Sequence, residues 1–258
     1  MNFERLTADL PSGPVDYLVG GTGEPLLYLH AAGGPLQTEF LLRLAAYRRI
    51  YVPIMPGFDG TGRHVGVETV QDLAALAADF GAMAIGPDPT DVMGASFGGW
   101  IALWLAARFP DRVGDLVLEA PAGLRFGMDA SSLTAEAARA NLFAYPDKAA
   151  PVLPPREVSI ANSQAFQAYA NDLFVDEALD AILPAIQART LVLMGTLDVT
   201  IPPQTGWRLA AALPQVNVSY VYDAAHALEV DQPQAALRLV RHFLDKGPAF
   251  LVASREYA

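Results

Sequence analysis

The chain has 258 residues, no cysteine, four histidines and a net charge of −11. Apolar residues make up 52% and charged residues 17%, a balance that excludes a disordered, collagen-like or low-complexity chain. The acidic excess and the lack of a basic run argue against nucleic acid as a partner. Without cysteine there is no disulfide, thiolate nucleophile or zinc–cysteine site, and so few histidines argue against a dedicated metal site.

The longest uncharged stretch, residues 92–107, is shorter than the ~20 residues that a membrane-spanning helix needs, and it contains three glycines. We therefore expect it to be buried core, with no membrane association. The first residues carry no apolar signal-like region, so we expect a cytoplasmic protein.

Short apolar runs alternate with helical patterns, which predicts an α/β fold with a mostly parallel central sheet and flanking helices. The first two runs alternate weakly across a Pro-Ser-Gly-Pro turn and predict an antiparallel hairpin. The predicted strands, in chain order, are 3–10, 15–19, 26–30, 50–54, 91–94, 115–119, 190–194 and 216–222.

Helical spacing of apolar residues predicts helices at 70–80, directly after Ser96 as far as Arg108, and near the C-terminus. Asp231 and Pro233 are placed to start this last helix, and Gly247 to stop it. Residues 121–184 carry helical patterns at 134–143 and 163–174 but no convincing strand. This predicts a core of 1–120 and 185–258, interrupted by a helical insertion at 121–184.

The residues Gly94-Ala95-Ser96-Phe97-Gly98 match the pattern Gly-x-Ser-x-Gly. A strand is predicted before them and a helix after them, as required for a sharp turn that exposes a serine oxygen. The spacing alone is weak, because a glycine-rich connection that only packs tightly has the same pattern. We interpret Ser96 as a candidate nucleophile.

A serine hydroxyl needs a base within hydrogen-bond reach, most often histidine. His226 follows the last predicted strand, at the end where ligand sites of open α/β sheets form. The imidazole in turn needs a carboxylate to hold its tautomer. Asp198 follows the preceding strand and is our first candidate, and Glu119, at the end of an earlier strand, is the alternative.

This order of serine, acid and histidine resembles that of the α/β-hydrolase fold family. Residues 30–35, His-Ala-Ala-Gly-Gly-Pro, are similar to the family's His-Gly-Gly-Gly-Pro loop, and residues 56–60 resemble its Pro-Gly-Phe-Gly segment. The resemblance covers nearly the whole chain. It implies that the backbone amides of Ala32 and Phe97 form the oxyanion hole, and that His30 braces the loop.

The predicted substrate-binding residues are His30, Gly33, Trp100, Phe126 and Phe143. The small residues after His30 let the backbone approach the substrate closely. Aromatic residues of the insertion either line a pocket or dock the insertion on the core, and the sequence leaves both readings open. Trp207 is expected to narrow the floor of the pocket together with Trp100.

The triad predicts a mechanism class and not a substrate. We rank an ester, thioester or lactone of a small molecule first, hydrolysed without a metal or organic cofactor. Carbon–carbon hydrolases of the family, which cleave ring-fission products, come second. They typically carry Asn before the nucleophile and a bulky residue after the histidine, where this chain has Ala95 and Ala227. Arg125 and Arg156 would favour them by binding a substrate carboxylate. The third alternative is a ligand receptor of the same fold with slow turnover, and the oligomeric state is left open.

Overall fold

The computed structural model describes residues 3–124, 141–171 and 175–247. In these residues, eight strands form one sheet in the order β1-β2-β4-β3-β5-β6-β7-β8. The strands are β1 (Glu4–Leu10), β2 (Gly13–Gly21), β3 (Pro25–Leu29), β4 (Arg49–Pro53), β5 (Thr90–Ala95), β6 (Val113–Glu119), β7 (Thr190–Gly195) and β8 (Val216–Val221). Each overlaps a predicted strand.

Strand pairing confirms the predicted mixed sheet. β1 and β2 form an antiparallel hairpin, and β2 also pairs antiparallel with β4. The remaining neighbours, from β4 through β3 to β8, pair in parallel. Because those strands share one direction, their carboxyl ends meet at one edge of the sheet, where α/β proteins bind their ligands.

Helices cover both faces of this sheet. The α-helices of the described residues are α1 (Glu39–Leu44), α2 (Val70–Phe80), α3 (Phe97–Arg108), α4 (Pro146–Ala149), α5 (Arg156–Ala170), α6 (Glu177–Ile182), α7 (Gln204–Ala212), α8 (Leu228–Asp231) and α9 (Pro233–Lys246). One buried apolar cluster includes α2 and α3, and a second includes α1 and α9. A sheet covered on both faces explains why β7 is buried along its whole length.

The last helix differs from the prediction at its start. It begins at Pro233, as expected, but its N-cap is Gln232. Asp231 is wholly buried, and its carboxylate accepts backbone N–H groups elsewhere. The expectation that Asp231 starts this helix is therefore wrong.

Between β6 and β7, the described residues carry α4, α5 and α6 and no strand. α5 starts at Arg156, earlier than the predicted 163. The prediction missed the first residues of this helix because they are exposed and lack the apolar spacing of a buried helix face. The predicted helix 134–143 lies mostly outside the described residues, and residues 141–143 are not helical. The boundaries of the insertion stay a prediction.

None of the described helices is both long and apolar enough to cross a bilayer.

Candidate active site

Ser96 is the one residue between the end of β5 and the start of α3. Its backbone has φ 51° and ψ −111°, a conformation that L-residues rarely adopt. Three backbone hydrogen bonds hold it there: its N–H donates to the carbonyl of Glu119 at 2.8 Å, and its carbonyl accepts the N–H groups of Ala122 at 2.9 Å and Trp100 at 3.1 Å. The side chain is partly exposed at the carboxyl edge of the sheet.

The glycines of the motif are required by close packing around this turn. A Cβ on Gly98 would lie 1.9 Å from the carbonyl oxygen of Leu29, and one on Gly94 would lie 2.4 Å from that of Gly98. No L side chain fits at such distances. The turn is therefore pressed against the end of β3, which brings the loop that begins at His30 next to Ser96.

Ser96, His226 and Asp198 form one hydrogen-bonded chain. Nε2 of His226 lies 2.8 Å from Oγ of Ser96, and Nδ1 lies 2.9 Å from Oδ2 of Asp198. An ionised carboxylate only accepts hydrogen bonds, so Nδ1 carries the imidazole proton and Nε2 is left to accept the serine proton. The arrangement can deprotonate the hydroxyl as it attacks a carbonyl carbon.

The carboxylate of Asp198 is fixed by its own turn. Oδ1 accepts the backbone N–H groups of Thr200 at 2.8 Å and Ile201 at 2.9 Å, which leaves Oδ2 for His226. The side chain is fully buried. The acid is thereby held in one orientation and shielded from water, which strengthens its interaction with a developing imidazolium.

Glu119, the alternative acid, has a different partner. Its Oε1 accepts the backbone N–H of Glu229 at 3.1 Å. Burial, together with the nearby charge of Glu229, raises the pKa of the Glu119 carboxyl well above its usual value. Asp198 contacts His226 directly, whereas Glu119 contacts the backbone of Glu229, so the geometry favours Asp198 as the acid.

Two backbone amides beside Ser96 suit an oxyanion. Phe97 is the first residue of α3, where the N–H has no acceptor within the helix and lies at the positive end of the helix dipole. Ala32 lies inside a turn that the Gly34 N–H closes on the carbonyl of Ala31 at 3.0 Å. The Ala32 N–H is the second donor that the resemblance implied.

His30 is buried and engaged at both ring nitrogens. Its Nε2 accepts the N–H of Met55 at 3.1 Å, so Nδ1 carries the proton and donates to the carbonyl of Ala31 at 2.8 Å. Burial lowers the pKa of His30 to about 4 and keeps the ring neutral. With 1% of its surface exposed, His30 braces the loop of residues 30–35, here called the oxyanion loop. It offers no free ring nitrogen to a substrate.

The other predicted binding residues have different environments. Trp100 is buried and its indole N–H donates to Asp176, so it joins α3 to the start of α6, and its contact with a substrate stays a prediction. Trp207 does not form a pocket floor, because it is 65% exposed on the surface. Phe143 is half-buried, and Phe126 lies outside the described residues. A substrate contact stays a prediction for these two phenylalanines.

An aromatic cluster docks α5 on the nucleophile turn. Phe97 stacks on Phe58 with ring centroids 5.7 Å apart, and it meets Phe166 edge-on at 5.2 Å and Tyr169 at 6.4 Å. Phe58, Phe97 and Tyr169 are buried, whereas Phe166 is partly exposed. Docking therefore accounts for Tyr169, and the surroundings of the Phe97 side chain are strongly apolar.

A cleft of about 260 Å³ opens between the oxyanion loop and the insertion. Asp59 is the one charged residue among the described residues that line it. The lining residues are Gly33, Pro35, Leu36, Gln37, Asp59, Pro151, Val152 and Pro154. Gly33 is exposed there, as a predicted binding residue should be. No cluster of three or more metal-ligating side chains occurs in the described part of the chain.

Two buried polar side chains near the site were not anticipated. Asn162 of α5 contacts the oxyanion loop, and Asp231 contacts the residue before His226. The sequence could have indicated a buried polar role for Asn162, because this residue interrupts the apolar stripe that continues through Ala165 and Tyr169. It gives no such indication for Asp231, since an acidic residue before Pro233 is equally typical of a helix start.

Comparison with known proteins places this geometry in a family. A family model described as "Alpha/beta hydrolase family" matches residues 26–239. The chain belongs to the alpha/beta hydrolase family. The predicted fold class is thereby confirmed, and the chain is an enzyme of the hydrolase class, which sets aside the alternative of a receptor.

The relatives of this hydrolase are named for different substrates. A 2-hydroxy-6-oxo-2,4-heptadienoate hydrolase of Pseudomonas putida is 29% identical over 253 residues, covering 87% of this chain and 90% of the relative. A pimeloyl-(acyl-carrier protein) methyl ester esterase of Neisseria meningitidis is 31% identical over 202 residues, covering 68% and 76%. A solved serine hydrolase involved in carbazole degradation (CarC enzyme) has the same fold, with a TM-score of 0.77 at 20% identity over 95% of this chain and 99% of that one.

Proposed function

We propose that this hydrolase cleaves an uncharged or weakly charged ester, thioester or lactone of a small molecule through an acyl-enzyme on Ser96. The observation that carries the proposal is the chain of contacts from Ser96 Oγ to His226 at 2.8 Å and from His226 to Asp198 at 2.9 Å. This is the constellation that activates a serine for acyl transfer. The cytoplasmic location stays a prediction.

The reaction proceeds in two halves. Ser96 Oγ attacks the substrate carbonyl carbon while its proton passes to Nε2 of His226, and the oxyanion that forms is stabilised by the N–H groups of Phe97 and Ala32. The C–O (or C–S) bond then breaks, and His226 returns the proton to the leaving group. A water molecule, deprotonated by His226, releases the acid and restores the serine.

The surroundings of the site support a substrate of low charge. Phe97 and its ring partners make the region beside the nucleophile apolar. The described residues that line the cleft beside the oxyanion loop include no cation that could bind a substrate anion, and their one carboxylate, Asp59, is paired with Arg5 at 2.9 Å. An apolar site with a few convergent polar groups is typical of small-molecule enzymes.

Carbon–carbon hydrolysis is the second candidate. The specific observation in its favour is the similarity to the Pseudomonas hydrolase along 87% of this chain. Against it, Ala95 and Ala227 flank the catalytic serine and histidine with methyl groups, which donate no hydrogen bond to a polar substrate. Arg156 is exposed at the first turn of α5, and Arg125 lies outside the described residues.

Two measurements test the proposal. A fluorophosphonate probe should label the wild-type protein at Ser96 and fail to label Ser96→Ala. The kcat/KM values of a short p-nitrophenyl ester and a vinylogous diketone acid are then compared. A preference of a hundredfold or more for the diketone acid, lost on Arg156→Ala, would replace ester hydrolysis with carbon–carbon cleavage. Labelling of a residue other than Ser96 would contradict both candidates.

A further inference from the structure

Asn162 of α5 connects the insertion to two loops of the core. Its Nδ2 donates to the carbonyl of Gly33 at 2.8 Å, and its Oδ1 accepts the N–H of Asp59 at 2.8 Å. The residue is 1% exposed. Both atoms of the side-chain amide are thus bonded, one to the oxyanion loop and one to the loop after β4.

A polar residue is not needed here for docking. Ala165 and Tyr169 occupy the same buried stripe of α5, and an apolar residue at 162 would extend it. Burying an amide without hydrogen-bond partners is unfavourable, so such groups are retained where their hydrogen bonds are made. The two hydrogen bonds of Asn162 therefore indicate that the loops it joins require a polar side chain at this position.

The bond to Gly33 fixes one peptide group in the oxyanion loop. The carbonyl of Gly33 and the N–H of Gly34 belong to the same rigid plane. The carbonyl accepts from Asn162, while the N–H donates to the carbonyl of Ala31 at 3.0 Å and closes the turn. With both ends of this plane held, the turn around Ala32 has one orientation.

Gly34 is fitted to the same contact. Its φ is +94°, a conformation that L side chains rarely adopt, and a Cβ added there would lie 2.6 Å from Nδ2 of Asn162. The glycine thus permits both the turn and the close approach of the amide. The pairing of Gly34 with Asn162 ties a residue of the core to one of the insertion across 128 positions.

We propose that Asn162 is a positioning residue that sets the direction of the Ala32 N–H in the oxyanion hole. The inference rests on the proposed acyl transfer at Ser96. Oxyanion donors act because they are oriented before charge develops, and a small displacement forfeits much of their effect. The insertion thereby helps to form the oxyanion hole in addition to covering the site.

The test uses variants of the full chain. Asn162→Asp keeps the shape and the acceptor for Asp59 but turns an oxygen toward the carbonyl of Gly33. Gly34→Ala displaces the same contact from the other side. Gln164→Ala is the matched control, because it removes a side-chain amide from the exposed face of α5.

The readouts distinguish a loss of oxyanion stabilisation from a general loss of packing. They are kcat and KM for a p-nitrophenyl ester, the phosphonylation rate of Ser96, and the affinities for a trifluoromethyl ketone, which forms an oxyanion adduct, and for the matching methyl ketone. In Asn162→Asp and Gly34→Ala, kcat, the phosphonylation rate and trifluoromethyl ketone affinity should each fall roughly 10- to 100-fold. KM and methyl ketone affinity should stay within about twofold of wild type. The reason is that these substitutions leave unchanged the contacts that bind ground state and transition state equally. Gln164→Ala should match wild type throughout.

Three results would overturn the inference. Folded variants with wild-type kcat and trifluoromethyl ketone affinity would show that Asn162 does not orient the donor. Equal losses for both ketones would assign it to general packing, and variants that cannot fold would assign it to stability. A wild-type protein that no fluorophosphonate labels would instead remove the proposed function. Because phosphonylation requires no particular natural substrate, the result does not depend on which bond the enzyme cleaves.

Discussion

The carboxylate of Asp231 accepts the backbone N–H of Ala225, the residue before His226, at 2.8 Å. The same carboxylate accepts the N–H groups of Ala144 and Tyr145, each at 3.0 Å. Asp231 is fully buried, so three N–H donors converge on an anion that water does not reach. One side chain therefore binds a segment of the insertion to the loop that carries the catalytic histidine.

We expect Asp231→Asn to weaken both this junction and catalysis. The amide has one acceptor oxygen, and its NH₂ group would face backbone donors. Bonds to charged groups contribute about 1.5–3 kcal/mol each, so the free energy of unfolding should fall by roughly 2–4 kcal/mol. The loosened His226 should lower kcat about tenfold. Urea unfolding and ester turnover measure the two effects.

The matched control is Asp223→Asn, the same chemical change at an exposed position before the histidine. Asp223 already has φ 54°, which asparagine tolerates well. Its stability and kcat should stay close to wild type. Equal effects of the two substitutions would contradict a special role for the buried carboxylate.

Replacement of the two candidate acids should give very different activities. Asp198→Asn removes the charge that contacts His226, and kcat should drop by about 10³–10⁴ with little change in KM. Glu119→Gln replaces a carboxyl group that burial favours as neutral, so its kcat should stay within about tenfold of wild type. Steady-state kinetics at neutral pH measure both effects. A larger loss of kcat in Glu119→Gln than in Asp198→Asn would identify Glu119, at the end of β6, as the acid.

The Glu229 carboxyl should make stability depend on pH. Burial raises its pKa from 4.5 to about 7, and its Oε2 accepts the hydroxyl of Tyr28 at 2.9 Å. The folded state therefore binds more protons than the unfolded state between these two pH values. This group's contribution to stability is present below about pH 4.5 and is lost as the pH rises through about 7.

We expect Glu229→Gln, which cannot ionise, to gain stability relative to wild type as the pH rises. The gain from acidic to mildly alkaline pH should be on the order of 3 kcal/mol. The His30 pKa, lowered to about 4, changes stability with pH in the opposite direction, but it does so equally in wild type and in Glu229→Gln. Urea unfolding at several pH values measures the gain. Exposed Glu177→Gln is the control, and parallel curves for wild type and Glu229→Gln would refute the prediction.

Asp176 should contribute strongly to the docking of the insertion. Its Oδ2 accepts the indole N–H groups of Trp100 at 3.0 Å and Trp104 at 2.8 Å, while Oδ1 caps α6. Asp176→Ala would leave two buried donors unpaired and should lower the free energy of unfolding by roughly 3–5 kcal/mol. Asp180→Ala removes a half-exposed ion pair with Arg208 and should cost less than about 1 kcal/mol. Similar losses for both would contradict the argument.

The fold was largely predictable because its signals are local. Each strand of the sheet has an apolar run of its own, and the turn at Ser96 has glycines wherever a Cβ would collide. The order of Ser96, Asp198 and His226 along the chain then pointed to a triad. The surroundings of Trp100 were not predictable in this way, because its indole N–H donates to Asp176, a residue distant in sequence.

The sequence by itself determined the α/β class, the strand order along the chain, Ser96 and His226 as candidate nucleophile and base, and two candidate acids, since these follow from periodicity and motifs within a few residues. Only the tertiary structure decided that Asp198 and not Glu119 meets His226, and that Asn162 and Asp231 support the catalytic loops. The physical reason is that a hydrogen bond requires atoms within about 3 Å in a particular direction. Residues far apart in the chain reach that geometry only when the packed sheet and the docked insertion place them together.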